Sequence, residues 1–313
     1  MSNHRAVILE AINTPLSLPT VPTPTPQSGQ VLIEVLAVPI LSYTRGVLTG
    51  EVPFPLPVPF TPGVSPVGRI EAVPSDATTL QPGQLVFVDT TVRARDSQGI
   101  VPLENVHTLD EKLLVDSLKY SPARLSWINA LLVPLGRRSL YDSRTGHCGR
   151  AAVDIALAMG AGRVIAVGRR KESLTAIESE MKTSKNLLDA GPRNLGADLF
   201  LDLTPGTFTT VSHVSSAISA LKVNGRAILM GGTQAPFTLS YASLMLRNIS
   251  VKGNFMFDAT APAKLIRLIE TGNLSLERLQ DVEFGLEDYE KAIDEAAVKT
   301  KADSHVVLSL KEN

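Results

Sequence analysis

The stretch SLYDSRTGHCGRAAVDIALAMGAGRVIAVGRRK (139–171) decides the fold of the second half of this chain. SLY is a short apolar strand that runs into DSRTGHCG. The segment RAAVDIALAMG (150–160) is Ala-rich, apolar on most sides and stopped by glycine, as expected of a helix packed on a sheet. VIAV (164–167) is a second, β-branched strand. A strand–turn–helix of this kind holds a pyrophosphate when glycines let the backbone approach it and the helix presents free N–H groups and its positive dipole end. The candidate phosphate turn is Ser143, Arg144, Thr145, Gly146, His147, Cys148 and Gly149. Small apolar filler between helix and sheet is the alternative for Cys148, and an exposed turn histidine the alternative for His147.

The second strand ends nineteen residues after Gly149, where ribose recognition is expected, and the residues there are Gly168, Arg169, Arg170 and Lys171. An acidic residue at that strand end would accept from the 2′-hydroxyl of NAD. A glycine followed by three cations favours the 2′-phosphate of NADP instead. A merely solvated helix start is the competing reading, although cations there oppose the helix dipole.

Outward from this unit the texture divides. The first hundred residues are strand-like runs punctuated by proline and glycine: AVILE (6–10), VLIEVLAV (31–38), VGRIEAV (67–73) and QLVFVD (84–89), with ILSYTRG (40–46) as a loop. LPTVPTPTPQSGQ is an extended connection, because proline fixes φ and bars the preceding residue from helix. After about residue 120 helix and strand alternate as in βαβ units. DLFLDL (198–203), RAILM (226–230) and ISVKG (249–253) join VIAV as strands, and KESLTAIESEMKTSKNLL (171–188) is an exposed amphipathic helix. APAKLIRLIETG and LEDYEKAIDEAAV are helical, and HVVLSL (305–310) is a strand suited to pairing with the N-terminal module.

Composition narrows the function. The 313 residues are 44% hydrophobic, enough for two buried cores, and 30 basic residues against 31 acidic leave a formal net charge of −1. With no Lys/Arg-rich run there is no footprint for nucleic acid. The single cysteine, Cys148, excludes an intramolecular disulfide framework. No apolar run approaches about 18 residues and no secretory signal is evident, so the expectation is a cytoplasmic protein that does not span a membrane.

These segments together, in order, resemble the medium-chain dehydrogenase/reductases: VLIEVLAV, PGVSPVGRIEAV, LQPGQLVFVD, TGHCGRAAVDIALAMGAGRVIAVGR, GRAILMGG, ISVKGNFM and FGLEDYEKAIDEA. The likeness is to the zinc-free, quinone-oxidoreductase-like branch. It implies an α/β chain with a GroES-like β-module at 1–120, a doubly wound Rossmann domain with a parallel sheet at 121–260, and a segment 261–313 returning to the first domain. It also implies a small-molecule substrate and makes a homodimer plausible. Leu41 and the run Gly63, Val64, Ser65 replace the family's zinc-ligating cysteine and Gly-His-Glu, and these residues offer no thiolate, imidazole or carboxylate to a metal.

Two further departures concern the nucleotide. Ser143 stands on the first glycine of the family's G-x-x-G-x-x-G turn, with Arg144 inside the loop, and the connections after RARDSQGI and after LLVPLG are shorter than in relatives. By position the resemblance makes Tyr43 a proton or hydrogen-bond donor to an enolate and Arg45 its anion stabiliser. Gly231, Gly232, Asn254 and Phe255 would border the cofactor at strand ends, beside Asp202. Three functions follow: an NADPH-dependent reductase of an activated C=C, quinone or carbonyl; a cyclase, isomerase or lyase with a degenerate nucleotide site; or a non-catalytic binding protein.

Overall fold

The computed structural model describes residues 2–52, 54, 56–88, 112–116, 139–142, 147–167, 196–204, 208–254, 261–277, 279–298 and 304–310, with backbone alone at 112–116, 139–142, 147 and 148. The chain forms two compact units, Met1–Ala123 with Glu277–Asn313, and Arg124–Leu276.

In the first unit β1 (Asn3–Arg5) and β2 (Thr20–Pro22) form a small antiparallel pair. The main sheet is built on β3 (Gln30–Ile40), which pairs antiparallel with β4 (Val67–Ala72), and β4 pairs with β5 (Leu85–Phe87). A further strand, β6 (Lys112–Asp116), also pairs with β3. The inward residues of β3 change phase along the strand, from Val31, Ile33 and Val35 to Val38 and Ile40. A register shift between Val35 and Ala37 causes this, since one extra residue moves the following side chains to the other face.

AVILE forms no continuous strand. Val7 and Leu9 are fully buried, but the backbone makes isolated bridges, Ile8 with Ser17 and Leu9 with Phe60. The segment expected as the loop ILSYTRG contains the start of helix α1 (Thr44–Thr49), closed by Gly50 in the left-handed conformation.

Among the described residues the second unit begins with β7 (Ser139–Asp142), followed by α2 (His147–Ala158) and β8 (Val164–Val167). Then come β9 (Ala197–Asp202), α3 (Ser212–Ser219), β10 (Leu221–Leu229), α4 (Tyr241–Leu246) and β11 (Ser250–Gly253). Strand order is β11-β10-β9-β7-β8 and every pairing is parallel. Both faces are covered, and all six residues of β9 are accordingly buried. Leu199 and Leu201 pack with Ala152, Val153 and Ile155 of α2, while Phe200 packs with Val214, Ala217 and Ile218 of α3.

Helix α5 (Ala261–Glu270) follows β11. Its Ala261, Leu265 and Leu268 join the core beneath α2, so it belongs to the second unit, and the return to the first begins at Glu277. There β12 (Gln280–Phe284) runs parallel to β13 (Ser304–Ser309), and β13 pairs antiparallel with β3. Between them a 3-10 turn (Leu286–Asp288) leads into α6 (Tyr289–Ala297), which buries Ala292, Ile293 and Ala296. The Tyr289 hydroxyl donates to the Leu16 carbonyl at 3.1 Å, and burial raises its pKa above the ordinary value. Among the described residues no helix is long and apolar enough to cross a membrane.

Candidate functional site

In the second unit all strands end on one edge. The chain passes from β7 to β8 on one side and from β9 to β10 and β11 on the other, so the connections reverse direction between β7 and β9. Open α/β sheets bind ligands outside the carboxyl ends at such a switch point. Two acidic residues end these strands as register partners, Asp142 and Asp202.

Alternation along β9 puts Asp198, Phe200 and Asp202 on the α3 face. Asp202 is 3% exposed and its Oδ1 accepts twice from Thr204, from the backbone N–H at 3.1 Å and the hydroxyl at 2.5 Å. Thr204, itself buried, lies 2.8 Å through Oγ1 from Nε2 of His213 in the first turn of α3. Phe208 meets the His213 ring edge-on, with centroids 6.2 Å apart. The Phe208 carbonyl accepts from the Thr233 hydroxyl at 3.1 Å, which ties the connection after β9 to the one after β10.

Gly231 follows β10 at the same edge. A Cβ there would lie 2.5 Å from the Thr204 carbonyl oxygen and 2.7 Å from Asp202 Oδ2, so no larger residue fits without moving the backbone. Its glycine thus has a packing reason, whatever binds above it. Gly232 beside it is exposed. Asn254 extends the β10–β11 ladder, its N–H donating to the Leu229 carbonyl at 2.9 Å. Gly231, Gly232 and Asn254 are therefore gathered with Asp202 on one edge.

His147 and Cys148 open α2, and Gly149 is buried in its first turn. Ser143, Arg144, Thr145, Gly146, Gly168, Arg169, Arg170, Lys171 and Phe255 lie outside the described residues. In the first unit, Tyr43 precedes α1 with its side chain exposed, and Arg45 on α1 forms an ion pair with Asp294 of α6. Among the described residues no group of three His, Cys, Asp or Glu is clustered for a metal ion.

Sequence reasoning missed Thr204, His213 and Arg150. Arg150 is 4% exposed, and its Nε donates to Asp154 one turn along α2 at 3.3 Å. No motif marks the Thr204–His213 pair, because nine residues separate them and only the turn of the chain into α3 brings them together.

Residues 27–103 match the alcohol dehydrogenase GroES-like domain. The quinone oxidoreductase of Sus scrofa is 24% identical over 255 residues, covering 76% of this chain and 74% of the relative. The human quinone oxidoreductase is 25% identical with the same coverage. Among solved structures, a thermostable alcohol dehydrogenase from Pyrobaculum aerophilum superposes with a TM-score of 0.74 at 22% identity, over 98% of this chain and 100% of its own. A protein of Sinorhizobium meliloti 1021 described as a zinc-binding dehydrogenase, solved bound to NADP, superposes with a TM-score of 0.76 at 17% identity, over 99% and 100% of the two chains. The GroES-like match, these relatives and the shared fold make the chain similar to the medium-chain dehydrogenase/reductases, and to the quinone oxidoreductases among them.

Proposed function

We propose that the protein is a zinc-independent, NADPH-dependent reductase of an activated C=C, quinone or carbonyl in a small molecule. The observation that carries this reading is the strand order β8-β7-β9-β10-β11, which sets the carboxyl end of β7 at the switch point of a parallel sheet. The names of the relatives and the NADP held by one structural neighbour support it. Leu41, Gly63, Val64 and Ser65 supply no zinc donors, which supports the zinc-independent form.

When bound, NADPH supplies a hydride equivalent. The chain's own contribution is positioning and charge. The first N–H groups of α2 would face the pyrophosphate, and Arg169, Arg170 and Lys171 the 2′-phosphate. Gly231, with no side chain, leaves the strand edge low. Tyr43 would hand a proton to the oxygen on which negative charge develops. Arg45 is a weaker candidate for that charge, because its guanidinium is already paired with Asp294.

Titrating the purified protein with NADPH and following nucleotide fluorescence tests the reading. Saturable binding below millimolar concentration is expected. An Arg169→Ala/Arg170→Ala double variant should weaken NADPH far more than NADH. Absence of binding to the wild type would sink the reductase and favour the non-redox reading that Ser143 and Arg144 suggest.

A further inference from the structure

The chain Asp202–Thr204–His213, buried at its aspartate and threonine and half-buried at its histidine, is more specific than packing requires. An ionised carboxylate only accepts hydrogen bonds, whereas a threonine hydroxyl has one proton to give and two lone pairs. With Oγ1 2.5 Å from Asp202 Oδ1, Thr204 gives its proton to the aspartate. The same oxygen, 2.8 Å from His213 Nε2, must then accept, so His213 carries hydrogen on Nε2. The direction of the chain is thereby fixed: imidazole to hydroxyl to carboxylate.

The geometry also makes Thr204 a hinge between two contacts. On one side its hydroxyl is held by the first turn of α3. On the other its backbone N–H and C=O lie against Gly231, with Asp202 Oδ2 beside them. Thr233 adds a second stitch: its hydroxyl donates to the Phe208 carbonyl and accepts from the Ala235 N–H, both at 3.1 Å. The connections after β9 and after β10 are thus locked together where the parallel sheet presents its carboxyl edge. Among the described residues, the donors to the Asp202 carboxylate are the backbone N–H and hydroxyl of Thr204.

We infer that His213 and Thr204 are positioning residues that hold the carboxyl edge of β9 and β10 in the shape a nicotinamide nucleotide needs. Their action is on the edge and through it, with no contact to the reacting atoms required. This inference rests on the nucleotide reading above.

The test uses full-length Thr204→Val, Thr204→Ser, His213→Leu and His213→Gln proteins, with three measurements: NADPH dissociation constant by fluorescence, thermal midpoint, and the 15N imidazole spectrum. The wild-type spectrum should show hydrogen on Nε2 of His213. Thr204→Val keeps the volume and loses the hydroxyl, and should weaken NADPH about tenfold or more, the size expected for a hydrogen bond to a charged group. Thr204→Ser should restore affinity to within about twofold, since the hydroxyl alone is what the chain needs. His213→Gln, which retains an N–H donor at the same reach, should bind better than His213→Leu.

Wild-type affinity in both Thr204→Val and His213→Leu would overturn the positioning role, as would hydrogen on Nδ1 alone in the wild type. Equal losses in Thr204→Ser and Thr204→Val would overturn it too. If Thr204→Val does not fold, the serine variant and the two histidine variants decide. A wild type that binds no nucleotide overturns the nucleotide reading and this role together. A wild type that binds, with indifferent variants, overturns this role alone.

Discussion

The two ends of β9 carry the same residue on the same face and treat it differently. At the amino end, Asp198 is 7% exposed and is paired with Lys222 of β10. Arg226 lies near enough for Asp198 to oppose the lowering that burial imposes on the Arg226 guanidinium pKa. At the carboxyl end, Asp202 receives the N–H and O–H of Thr204, and among the described residues no cation pairs with it. A carboxylate that serves only the fold is neutralised by cations. The one at the proposed ligand edge is held instead by the backbone N–H and hydroxyl of Thr204, which fix its geometry. The difference separates an end that stabilises from an end that shapes.

Glycines at the two ends give the largest expected effects. Gly196, just before β9, has φ +86° and its Cβ would run into the Ala220 carbonyl, so Gly196→Ala should cost about 3 kcal/mol of stability in urea unfolding. Gly231→Ala should cost about 2 kcal/mol, because backbone must move to admit the methyl. The contrast lies in function. NADPH affinity should survive Gly196→Ala in whatever fraction remains folded and should collapse in Gly231→Ala. Equal binding by the two folded variants would erase the distinction between the ends.

Neutralising each aspartate is the next and smaller test. Asp198→Asn leaves Lys222 and Arg226 without their carboxylate and should cost about 2 kcal/mol, less than for a fully buried pair because Lys222 is partly exposed. Asp202→Asn keeps an oxygen for both Thr204 donors and should cost about 1 kcal/mol. NADPH titration should rank the variants in the opposite order, with Asp202→Asn the weaker binder. The same ranking in stability and binding would break the comparison.

The described strands of the second unit were legible because parallel strands buried on both faces read as short, nearly continuous apolar runs, and the helices between them must be apolar toward the sheet. VIAV and DLFLDL met that condition. AVILE met it as well, yet its residues are buried without a ladder, since an apolar run specifies burial and not hydrogen-bond partners. QDVEF was missed for the opposite reason. Gln280, Asp281 and Glu283 are exposed on an edge strand, so its sequence carries little strand pattern. ILSYTRG passed for loop because Thr44 and Gly46, in the first turn of α1, are poor helix formers, and the helix they open is secured by the packing of Leu48, the Gly50 turn and the Arg45–Asp294 ion pair. At the site, strand ends were readable from spacing. The link from His213 to Asp202 was not, because it depends on where a helix start falls in space.

The smallest expected effect supplies the control for burial. Arg5 of β1 pairs with Glu287 of the 3-10 turn, and both side chains are well exposed, at 41% and 64%. The Arg5 hydrogen bond holds the Glu287 carboxyl below its ordinary range. A carboxyl lowered on folding contributes its stability fully above the unfolded value and loses it as pH falls through the folded one. Stability should therefore decline slightly on acidification below the ordinary carboxylate range, and Glu287→Gln should remove that part of the decline. Solvent screening keeps the difference under about 1 kcal/mol at neutral pH. Urea midpoints of wild type and variant across the acid range would measure it. Should Glu287→Gln cost as much at neutral pH as Asp198→Asn, burial would not be what makes the Asp198 pair strong, and the contrast between the two ends of β9 would have to rest on Thr204 and His213 alone.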